Sequence, residues 1–147
     1  MKPDVDAILA QTVQSMLQDF APRAGVPYLA SQIGMSAFVM SMAAQDLDRA
    51  ASRRVAENRA IRDLFRRANG LGLDAPLAAR LAALAAGDDG DLRISALEAG
   101  NMALRAALID LQAAVETRPG PAAALNDAIW AELSASTERR RLASANF

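Results

Sequence analysis

Apolar residues recur along this chain at three- and four-residue intervals in five successive blocks, and nowhere do they alternate with the period of two that a half-buried strand requires. The first block, about 4–20, sets Val5, Ile8, Leu9, Val13, Leu17 and Phe20 on one stripe. Asp4 and Asp6 stand where negative charge favours a helix N-terminus. The run Ala21-Pro22-Arg23-Ala24-Gly25-Val26-Pro27 is expected to break it. Each Pro lacks an N–H and biases the preceding residue away from helical geometry.

The second block runs from about 27 to 68, with Gly34 the one breaker inside it. From Met35 to Ala68 an unbroken helix would be a rod of roughly 50 Å. A compact globule of this chain length has a diameter of roughly 40 Å. The sequence therefore predicts either a bend near Gln45–Asp48 or a second subunit that covers the excess, and we favour the subunit. Asn69-Gly70-Leu71-Gly72 supplies the glycines on which helices commonly end.

A third helix is expected over about 75–86, with Pro76 in its first turn, and a fourth over about 91–117. Between them lies the loop Gly87-Asp88-Asp89-Gly90, in which Asp89 or Asp91 is expected to cap the fourth helix. A fifth helix, about 121–142, points Leu125, Ile129, Trp130 and Leu133 inward. The reading is an all-α, single-domain bundle over 1–147, of four or five helices with one long central helix.

Two stripes resemble helix–helix seams. In the fourth helix Ile94, Leu97, Asn101, Leu104, Leu108, Leu111 and Val115 follow one another at alternating intervals of three and four. Read as a heptad, β-branched residues and one Asn fill one core position and Leu fills the other, the pattern of two-stranded pairing. The same spacing also makes the inner stripe of an ordinary bundle. In the second block Ala30, Gly34, Ala37, Ser41 and Ala44 share one narrow sector, where small side chains let backbones approach. Met35, Phe38, Val39 and Met42 occupy the other side. Whether either stripe packs within the chain or between subunits is open at this level.

Composition narrows the chemistry. There is no Cys and no His among the 147 residues, which removes thiol nucleophiles, Cys/His zinc sites and every His-based triad. The remaining groups are carboxylates, Arg, hydroxyls, the single phenol of Tyr28 and the single amine of Lys2. The Glu residues are scattered, and a bundle di-metal site needs Glu-x-x-His pairs. Asp88-Asp89-Gly90-Asp91 lacks the side-chain oxygens that a calcium loop needs at its third and fifth positions. No phosphate-binding glycine motif is present. We expect no enzyme activity, no cofactor and no metal.

The formal charge of −1 gives no global attraction to nucleic acid or anionic lipid. A local excess of Arg over 49–67 raises the alternative of nucleic-acid contact through Arg59, Arg62 and Arg66. No aromatic residues interleave with them to stack bases, so that contact is the less favoured reading. The uncharged run between Arg23 and Asp46 is 22 residues long, but Ser31, Gln32, Ser36, Ser41, Gln45, Pro27 and Gly34 weaken any transfer into lipid. Without a signal-peptide pattern at the start, a cytoplasmic protein with no membrane span is expected. The leading functional expectation is a helical interaction or accessory protein, working as a homodimer or with an unidentified protein partner. A third class is a small apolar ligand held among Met35, Phe38 and Met42.

Overall fold

The structure, a computed structural model, describes residues 4–142; Lys2 lies outside them. Among the described residues the chain is all-α, with five helices: α1 beginning at Val5, α2 (Pro27–Arg67), α3 (Ala75–Ala86), α4 (Ile94–Val115) and α5 (Pro121–Arg140). The sequence pattern places four of the five starts within a residue or so. The exception is α4, which begins three residues late.

That delay has a local cause. Asp91 does not cap α4. Its carboxylate accepts from the Arg93 backbone N–H at 3.0 Å and from the Arg93 guanidinium, closing a turn of its own before the helix. Asp89 is drawn away to partners on α2.

The expected break at Pro22 is also displaced. α1 is regular over Val5–Ser15, widens into a π segment over Met16–Phe20, and closes with a last α-turn over Ala21–Arg23. Ala21 N–H reaches back five residues to Met16 O. The wider turn lets the helix carry Pro22, whose ring can neither donate nor fit a normal α ladder. The chain reverses only at Gly25, in the left-handed region at φ 68°.

The contacts cluster into two compact units, one running to Ala50 and the other Ala51–Arg141. The first contains α1 and the N-terminal part of α2. Ala10, Val13, Gln14 and Leu17 share a cleft there with Ser41, Ala44 and Gln45. Its buried residues are small: Ala37 and Ala50.

The second unit holds the large core. Ile61, Leu64 and Phe65 of α2, with Ala68 just past its end, meet Leu81 and Ala85 of α3, Leu104, Leu108, Leu111 and Val115 of α4, and Ala122, Leu125 and Ile129 of α5. Asp74 starts α3 by accepting from Leu77 N–H, with Pro76 in the first turn where a missing N–H costs nothing. Trp130 departs from the expected inward face and is 57% exposed. No helix among the described residues is long and apolar enough to cross a membrane.

Candidate functional site

The α4 stripe lies inside the second unit. Leu97, Asn101, Leu104, Leu108, Leu111 and Val115 are buried there, and Ile94 at the first turn is exposed. Asn101 is held within the chain: its Nδ2 donates to Asn58 Oδ1 at 2.9 Å, and Asn58 Nδ2 donates to Asp89 Oδ1 at 2.8 Å. Arg62 completes the group with a bidentate contact to the Asp89 carboxylate, at 2.8 and 3.0 Å, and a bond to Asp88 O.

One turn before Arg62 stands Glu57, almost fully buried. Arg105 of α4 and Arg140 of α5 both donate to its carboxylate. Nearby, Arg139 pairs with Glu132 along α5. A short stretch of α2, Glu57 to Arg62, thus grips the α3–α4 loop, α4 and α5 through side-chain hydrogen bonds.

The electrostatics follow from these partners. Burial pushes the Glu57 carboxyl up, but the hydrogen bonds and charges of Arg140 and Arg105 outweigh it and hold the group below its ordinary value. The Arg62 hydrogen bond holds Asp89 low, against a smaller opposing effect of burial. Glu132 goes the other way: burial raises it more than Arg139 lowers it, and the Glu57 charge adds to the rise.

Glu57, Asn58 and Asn101 are buried, and they line neither the cleft between α1 and α2 nor the groove beside α3. No cluster of carboxylates able to hold a metal ion occurs among the described residues. What the network does is fix position, since a one-turn slip of any helix would leave a buried charge or amide unpaired.

Sequence reasoning missed Glu57, Asn58, Asp89, Arg105 and Arg140 as a group. The available signal was Glu57 and Asn58 standing in line with Ile61, Leu64 and Phe65, which made α2 polar on its core face for one turn. Asn101, in the facing stripe, was the visible half of the pair.

The three arginines singled out do not form one free cationic surface. Arg62 is buried on Asp89, and Arg66 bonds to Asp63 and to Ala85 O at 2.9 Å. Arg59 is exposed.

The small-residue sector of α2 is its covered side in the first unit. Ala37 is fully buried, and Ala30, Gly34, Ser41 and Ala44 are half-buried. Gly34 is not a point of tight approach, because a Cβ built on it meets nothing within 4 Å.

The opposite sector is open. Tyr28, Met35, Phe38 and Val39 are exposed and Met42 is half-buried; at 100° per residue they fall within about a third of the helix circumference. Met35, Phe38 and Met42 therefore stand on a convex helix face. Val5, Ile8, Leu17 and Phe20 of α1 and its π segment are exposed as well.

Comparison with protein-family models, with curated proteins and with solved structures finds no match to this chain.

Proposed function

We propose that this protein is a non-enzymatic association module that pairs with a second copy of itself through the open face of α2. The observation that carries the reading is the imbalance in the first unit. Among the described residues, eleven of the sixteen exposed large apolar side chains lie there: Val5, Ile8, Leu17, Phe20, Val26, Tyr28, Leu29, Met35, Phe38, Val39 and Leu47. Against them stand two buried alanines.

The scale suits a dimer. Half-exposed side chains of this size present on the order of 100 Å² each, so Tyr28, Met35, Phe38 and Val39 expose roughly 400 Å² on the open face. A stable interface takes about 800 Å² from each partner, of which a little over half is apolar.

A second copy fits better than an unlike partner on charge. The stripe holds no charged residue between Arg23 and Asp46, so no like charges meet when it faces itself. Just past its C-terminal end Asp46 and Arg49 fall in the same sector with opposite charges, so no net charge is set against its copy there.

The test is Met35→Glu/Val39→Glu, two changes at exposed positions of a helix that Glu favours. Sedimentation should show the wild type as a dimer and the variant as a monomer of unchanged helix content. A variant that sediments with the wild type refutes the assigned face.

A further inference from the structure

A groove in the second unit is lined by none of the residues of the dimer face. It lies between the C-terminal turns of α2 and the exposed side of α3, with a volume of about 490 Å³. Its floor is Phe65, Ala68, Leu81 and Ala85, all buried. Its wall on α3 is made by Ala78, Ala82 and Ala86, one above another at i, i+4 and i+8. Leu at any of these positions would fill the space. The short side chains keep open an apolar surface that water wets at a cost of about 25 cal/mol per Å².

Polar groups sit at the ends. Arg66 is at the α3 C-terminal end, fixed there by Ala85 O and by Asp63. One acceptor occupies each of its terminal nitrogens, and each of these carries a second N–H. At the other end the groove runs past Asn69 to Leu73. The volume lies within the range of about 300–1,000 Å³ usual for small-molecule sites, which combine apolar walls with a few placed polar groups.

We infer that this groove binds an amphipathic monocarboxylate, its chain lying along Ala78–Ala86 and its head group on Arg66. From residue 78 to 86 the helix rises roughly 12 Å, the extended length of a chain of about ten carbons. A carboxylate is the head group that matches a guanidinium already oriented by two acceptors. The Asp63 charge and the α3 carboxyl end oppose an anion here, so the Arg66 contact decides between a carboxylate and a neutral head of the same chain.

The probes are decanoate and decanol, titrated below their aggregation and solubility limits into the full-length protein while backbone amide resonances are followed. Decanoate should shift Gly70, Gly72 and Ala82 and bind at least tenfold tighter than decanol. Arg66→Gln should remove that preference, and Arg66→Lys should restore part of it. Ala82→Leu and Ala78→Leu, both at exposed positions, should abolish binding while helix content is unchanged. Equal affinity for the two probes overturns the head-group assignment. Unshifted groove amides, or undiminished binding by both filled variants, overturns the site. The groove lies wholly within the second unit, so a monomeric protein still gives a decisive answer.

Discussion

Asn101 Nδ2 donates to Asn58 Oδ1 across 2.9 Å in a place where neither residue reaches solvent. A polar residue at the centre of a leucine stripe would suit pairing between two copies, but here its partner is on the neighbouring helix. The α4 heptad is thus the inner stripe of a bundle whose register is set by hydrogen bonds.

Asn101→Leu removes a donor and leaves Asn58 Oδ1 buried without one. A buried acceptor stranded in this way costs about 1–3 kcal/mol. Urea unfolding should show that loss, and the subunit mass should not change. A mass change would mean that α4 takes part in the interface.

The Glu57 and Asp89 carboxylates should differ when their charge is removed. Asp89→Asn strands Arg62, whose side chain is 9% exposed, and breaking such a pair costs about 3–5 kcal/mol. Glu57→Gln frees Arg105 and Arg140, whose side chains are 41% and 43% exposed and can turn to water. Its cost should be smaller, about 1–3 kcal/mol. Denaturant midpoints of the two variants, measured at neutral pH, check the order.

Acid should act through the same groups. Glu57 and Asp89 titrate lower in the folded protein than in the unfolded chain. Their contribution is therefore complete above the unfolded value of about 4. It is lost as pH falls through the lowered folded values. Glu132, raised by burial, has the opposite sign: its stabilisation belongs to low pH and is lost as pH rises through its folded value. Stability measured from pH 6 to pH 2 should fall below about pH 4, and Glu57→Gln/Asp89→Asn should flatten that fall. An unchanged acid limb in the double variant contradicts the assignment.

Gly34 lies inside a long helix with room for a side chain. Gly34→Ala should stabilise by about 0.5–1 kcal/mol, because the unfolded chain loses freedom and nothing clashes. A lower melting temperature would show that a second backbone approaches there.

Most of the fold was legible in the sequence because it rests on local signals. Three- and four-residue spacing, Pro76 and Pro121 in first turns, and the glycines at 70, 72 and 120 place the helices on their own. The π segment was not legible, since Met16–Phe20 reads as ordinary helix until Pro22 must be accommodated. Nor was Trp130, because α5 offers apolar residues on more than one side and the choice depends on what α4 presents. The buried network was half visible in Asn101. Its other members, the adjacent Glu57 and Asn58 with Asp89, Arg105 and Arg140, come from stretches far apart in the chain, and only tertiary packing brings them together.

The most direct test of the central claim is the absolute mass of the wild-type protein by size-exclusion chromatography with light scattering, run across a hundredfold range of concentration at low and high salt. An apolar α2 face paired with its copy predicts twice the 15.5 kDa chain mass, insensitive to salt. A mass of 15.5 kDa at the highest concentration would contradict it.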